Sequence, residues 1–232
     1  MKFLAILAVL SFRCLAAVAI QDVTVIDVAS GAARPHVTVI LNGDKISAVI
    51  PTSAAIPRGL LNDARIVDGR GKFLIPGLWD MHVHLWSQQN QLPVFLAFGV
   101  TSVRDMGSDF KRLESWRDEI DAGHAVGPRI VTGGPAVDGD APVDARFPAI
   151  AVHSPVEARK AFDQLFDLNV DFIRVLPGLS RDAYFALAEQ ARHWDLGLSG
   201  EIPPSIAAWE AVEARQRSLE HMSGIPNSVS DD

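Results

Sequence analysis

WDMHVHLW, residues 79 to 86, is the stretch on which the fold and chemistry of this chain turn. Asp80, His82 and His84 stand two positions apart, with Met81 and Val83 between them, and the apolar run FLIPGL leads into them. On a β-strand, residues i, i+2 and i+4 point to the same side. The three polar side chains therefore share one face, and Met81 and Val83 share the other. Polar groups buried on such a face need partners. Two imidazoles aimed at one region suit a divalent ion such as zinc, which imidazole nitrogen commonly ligates. A metal site needs further ligands, and they must come from elsewhere in the chain.

At 232 residues, with 48% hydrophobic and 21% charged, the chain has the make-up of a globular protein of one large domain or two modest ones. Its formal charge of −7 argues against a nucleic-acid partner, which calls for a basic face. MKFLAILAVLSFRCLAAVAI opens on a basic residue, continues as an apolar run and closes on Ala17-Val18-Ala19, a small-x-small pattern. That is the form of a secretory signal peptide over residues 1–19, cut after Ala19, so export to a periplasmic or extracellular space is expected. Arg13 interrupts the run and leaves too few consecutive apolar residues for a stable membrane span. The single cysteine, Cys14, lies in this leader, so the mature chain is expected to lack disulfides, thiolate metal ligands and a cysteine nucleophile.

After the leader, QDVTVIDV, HVTVILNG, KISAVIP and RIVDGRG are β-branched runs separated by turn signals. They predict an N-terminal β unit over residues 20–72. From residue 73 the pattern changes to strands alternating with helices, the mark of parallel βα units. The predicted strands are LWDMHVH, VTSVRDM, RIVTGG, DFIRVLP, LGLSGEI and RSLEHM. Predicted helices run from Ser108 to about Ala122 and begin at Ser154, Ser180 and near Ser205. Ser154-Pro155-Val156-Glu157 has the residues of a capping box. Six such strands suggest a (βα) barrel, a form that closes with eight.

An HxH dipeptide alone is weak evidence of a metal, but its context is specific. PGLWDMHVHLW, then GVTSVRDMG, GPRIVTGGP and SLEHM, in this order, resemble the amidohydrolase superfamily, in particular an exported branch similar to imidazolonepropionases and zinc-dependent dipeptidases. The resemblance covers nearly all of residues 20 to 224. It implies a (βα)8-type metal-dependent hydrolase barrel, here with about six strands before the chain ends at Asp232, and an incomplete N-terminal β-sandwich. It also implies hydrolysis of a C–N bond in a small amide, lactam or dipeptide substrate. Carried over residue by residue, it makes His82, His84 and His221 metal ligands. The family's general-base aspartate, at the end of an eighth strand, has no counterpart before Asp232.

Two positions depart from the family pattern. The family often has a carbamylated lysine in a DFIK motif on the fourth strand, and this chain has DFIR, with Arg174 in its place. Where the family's fifth strand carries a histidine in a GHVP-like motif, this chain has GEIP and Glu201. Arginine stays protonated and cannot form a carbamate. A guanidinium about 5 Å from a divalent ion is repelled by roughly 7 kcal/mol at an effective dielectric of about 20. At most one zinc or other divalent ion is therefore expected, with His82, His84, His221 and Glu201 as its ligand set. The rival expectation is a non-catalytic chain in which Arg174 and Glu201 form an ion pair in place of the second metal. A barrel of six strands leaves open edges, which predicts an oligomer that covers them. Arg104 and Asp105 are read as a buried ion pair with each other, and His36, His124, His153 and His193 as solvated. The TGGP and DGDAP glycines are read as loops, and no phosphate loop or GxSxG elbow is present.

Overall fold

The computed structural model describes residues 17–56, 64–86, 89–139 and 147–225. The expected leader with Cys14 lies almost wholly outside them, as do the last three residues of DGDAP. The chain divides into two compact units, residues 1–76 and 77–232.

In the first unit, β1 (Val18–Ile26), β2 (Ala33–Asn42), β3 (Lys45–Pro51), β4 (Arg65–Asp68) and β5 (Phe73–Leu74) form one sheet. Its order is β3-β2-β1-β4, with β5 continuing alongside β1. The β1–β2 and β2–β3 pairs are antiparallel, whereas β4 and β5 run parallel to β1. Asn42 pairs with Lys45, so the NGD signal makes a tight turn, with Gly43 at a φ of 61° that a side chain would resist. Val23, Val37 and Val39 form its buried centre, and Ala19, already inside β1, is fully buried. A second sheet that would make this unit a sandwich is not among the described residues.

The second unit holds β6 (Leu78–Val83), α1 (Leu92–Ala97), β7 (Val100–Asp105), α2 (Phe110–Asp121), β8 (Arg129–Thr132), β9 (Ala136–Asp138), β10 (Ala149–Ala151), α3 (Pro155–Asp167), β11 (Ile173–Val175), α4 (Arg181–His193), β12 (Leu198–Gly200), α5 (Ala208–Glu213) and β13 (Gln216–Leu219). Its strands are all parallel and fall in two sheets, β6-β7-β8 and β10-β9-β11-β12-β13. All six strands predicted here exist. The two sheets approach where Asp171 N–H donates to Thr132 O and Thr132 N–H to the Asp171 carboxylate, both at 2.9 Å. Among the described residues they do not join into one closed cylinder. Strands β9 and β10 were not anticipated, because each is three residues long and one lies among glycines and aspartates that read as a turn.

Helix starts follow their caps. Asp109, Ser154 and Ser180 each accept a backbone N–H from three residues on. The Ser154 box closes one residue early, since the Glu157 carboxylate takes the N–H of His153 at 2.7 Å. The fifth helix begins at Ala208, after Pro203-Pro204 and a turn in which Ile206 N–H donates to Pro203 O.

Helices α3 and α4 bury Phe162, Leu165 and Leu187 against Ile173, Val175 and Leu198 of the sheet, and these six residues are at most 1% exposed. A second cluster joins Val83 and Leu85 to Leu92, Val103, Leu113, Trp116 and Ile130. The apolar parity of β6 thus faces the helices, which leaves His82 and His84 on the opposite side. Tyr184, fully buried, donates to Gln216 Oε1 at 2.7 Å, and Gln216 Nε2 donates to the carbonyls of Gly200 and Ser218 at 2.9 Å. Burial pushes the Tyr184 phenol above its usual range. This chain of hydrogen bonds fixes β12 and β13 against α4.

Candidate functional site

Three histidine rings gather at the C-terminal ends of β6 and β13. The His82 ring centroid lies 5.3 Å from that of His84 and 4.7 Å from that of His221. His84 is held by aromatic contacts, stacked on Trp86 at 5.2 Å and edge-on to Phe147 at 5.0 Å. Burial, and then the positive charge of Arg174, keep its pKa below the ordinary histidine value. His221 would point away from the site if β13 ran on, because it has the wrong parity after Ser218 and Glu220. A backbone turn with φ 56° at His221 and 54° at Met222 brings the ring back to His82.

Arg174 and Glu201 meet, as the rival expectation proposed. Arg174 Nη2 lies 3.3 Å from Glu201 Oε1, and both side chains are largely buried. The other terminal nitrogen of Arg174 donates to the Met106 carbonyl. Glu201 Oε1 is also 3.2 Å from His221 Nδ1. The approach depends on Gly200, at a φ of 135°, where a Cβ would sit 2.0 Å from the Val175 carbonyl oxygen. Only glycine lets β12 lie this close to β11.

Arg104 and Asp105 do not pair with each other. Adjacent strand residues point to opposite faces, so the sequence expectation conflicted with its own periodicity. Arg104 instead reaches Glu220 Oε1 at 2.5 Å, the Met81 carbonyl at 2.7 Å and Ser218 Oγ at 2.9 Å. Asp105 accepts from Leu85 N–H at 2.9 Å, Gly107 N–H at 3.0 Å and Ser108 Oγ–H at 2.6 Å. Sequence reasoning missed Glu220 altogether, although its i+2 spacing from Gln216 and Ser218 places all three on the buried face. Its second oxygen lies 2.7 Å from His82 Nδ1. Burial pushes the Glu220 carboxyl up, but hydrogen bonds from Ser218 and His82 and the charge of Arg104 outweigh this and hold it below its ordinary value.

His82 thus neighbours both His84 and His221, and His221 in turn neighbours Glu201. Among the described residues, however, no three His, Cys, Asp or Glu side chains converge as preformed metal ligands. Among the described residues, three atoms of this region are buried without a hydrogen-bond partner: the donor Arg174 Nε and two possible acceptors, His84 Nδ1 and Glu201 Oε2. Both acceptors can carry a lone pair, and with His82 and His221 they suit one divalent ion in donor chemistry. The Arg174 guanidinium lies between Glu201 and the Met106 carbonyl and donates to both.

No family model and no curated protein matches the chain by sequence. Solved structures do. A putative prolidase from Bifidobacterium longum superposes with a TM-score of 0.71 at 26% identity, over 87% of this chain and 52% of that one. Bottromycin amidohydrolase superposes with a TM-score of 0.73 at 25% identity, over 90% of this chain and 43% of that one. The chain has the fold of the amidohydrolase superfamily. The chain spans about half the length of the structures it matches. Its likeness to A. niger ochratoxinase, with a TM-score of 0.70 at 18% identity over 88% of this chain and 59% of that one, is a likeness of fold.

Proposed function

We propose that this chain is a hydrolase domain for C–N bonds of small amides or dipeptides, built on a (βα) barrel, that takes one divalent ion rather than two and turns over slowly. The observation that carries the reading is the buried Arg174–Glu201 contact beside three clustered histidines. His82, His84, His221 and Glu201 would hold the ion. When bound, it would supply Lewis acidity and lower the pKa of an associated water. Among the protein's own groups, Glu220 orients His82, the aromatic pair Trp86 and Phe147 orients His84, and Arg174 neutralises Glu201. Export through residues 1–19 belongs to the same proposal, and cleavage after Ala19 would shorten β1 by its first two residues. So does self-association, since β6 and β13 are each paired on one side among the described residues.

A second reading, a non-catalytic chain, draws support from Glu201 Oε1, which is already engaged by Arg174 and His221. Metal analysis of chain purified without chelator, together with assays on Xaa-Pro dipeptides and N-acyl amino acids, separates the two. At most one weakly held zinc per chain is expected, with slow zinc-dependent hydrolysis that His82→Ala abolishes. Two tightly held ions would overturn the single-ion proposal. Absence of both zinc binding and turnover would establish the non-catalytic reading.

A further inference from the structure

Glu220 stands outside the donor set considered so far, yet both of its carboxylate oxygens are engaged. It is 7% exposed. Its Oε1 accepts from Arg104 Nη2 at 2.5 Å and from Ser218 Oγ at 2.6 Å, and its Oε2 lies 2.7 Å from His82 Nδ1. A carboxylate paired with a buried guanidinium is ionised, and an ionised carboxylate only accepts. The hydrogen in the His82 contact must then be on Nδ1. In the neutral ring this leaves the lone pair on Nε2.

Arg104 makes that orientation rigid. The same guanidinium that binds Glu220 also donates to the carbonyl of Met81, the residue just before His82, at 2.7 Å. It reaches Ser199 Oγ at 3.4 Å and Ser218 Oγ at 2.9 Å as well. One side chain of β7 thereby ties β6 and β13 to β12 at the level of the histidines. The two members of the HxH pair are held by different means. His84 has ring contacts and an unpaired Nδ1, whereas His82 has a charged, hydrogen-bonded orienting group.

We infer that Glu220, clamped by Arg104 and Ser218, is a positioning residue that fixes His82 as its Nδ1–H tautomer and keeps Nε2 as the ligand atom for a divalent ion. The ligand half of this inference rests on the single-ion reading above, but the tautomer half does not. Carboxylates that orient metal-binding histidines in this way typically change metal affinity about 10–100-fold when removed.

Nitrogen-15 NMR of histidine-labelled, metal-free full chain reads the tautomer directly, with His82 assigned by the signal lost in His82→Gln. At a pH where the ring is neutral, the wild type is expected to show a protonated Nδ1 and an unprotonated Nε2. In Glu220→Gln the amide oxygen can still accept from Arg104, which turns the amide NH2 toward His82, so a switch to the Nε2–H tautomer is expected. Zinc affinity, measured by titration, should fall about 10–100-fold in the same variant. An Nε2–H ring in the wild type, or a folded Glu220→Gln chain with no switch, overturns the inference. If that variant does not fold, the wild-type tautomer alone decides. A wild-type Nδ1–H ring in a chain that binds no zinc overturns the single-ion reading and the ligand half, and sustains the tautomer assignment.

Discussion

Glu201→Gln is expected to lower the free energy of unfolding by about 3–5 kcal/mol, because it strips the carboxylate from an arginine that has no route to water. Arg174 is 5% exposed, and its remaining partner is a neutral carbonyl, that of Met106. Arg174→Met should be costly for the converse reason, since it leaves Glu201 buried with only His221 beside it. The double variant Arg174→Met/Glu201→Gln removes both charges together, so its loss should fall well short of the sum of the two. Urea denaturation of the four proteins measures the difference. Strictly additive losses would mean that the two side chains do not interact as the structure shows.

Asp105→Ala is the second large expected effect, at about 2–5 kcal/mol. Asp105 is fully buried and forms no ion pair among the described residues. It serves instead as the acceptor for two backbone amides, Leu85 and Gly107, and for the Ser108 hydroxyl. Each buried donor left without an acceptor costs about 1–3 kcal/mol. Asp105→Asn should recover only part of the loss, because its amide presents N–H groups to a pocket that already contains donors. The Leu85 amide lies one residue past His84, so amide hydrogen exchange there should speed up in both variants. Unchanged protection at Leu85 would remove Asp105 from its assigned place.

The sequence carried the strands of the second unit because parallel strands covered by helices read as β-branched runs bounded by glycine and proline. It did not carry β9 and β10, whose three-residue pairings rest on position in the sheet rather than on composition. Helix α1 was missed for a related reason: six residues, Leu92–Ala97, are too few to show a helical period. At the site, His82, His84 and His221 could be named from their motifs, and the meeting of Arg174 with Glu201 followed from two compensating changes of charge. Arg104 was assigned to the wrong acid because the two residues are adjacent in the text. In the fold, its partner lies 116 positions away, in the turn just past β13. Glu220 was overlooked because the resemblance drew attention to the histidine beside it, although period-two alternation along Gln216, Ser218 and Glu220 marked it as inward-facing.

The guanidinium of Arg174 has a property that no bound ion shares: it is part of the chain. It cannot be chelated, displaced by a competing metal or lost by dilution, and its charge does not vary across the physiological pH range. Wherever this protein works, the positive charge opposite Glu201 is present from the moment of folding, at unit stoichiometry and independent of the local supply of trace elements.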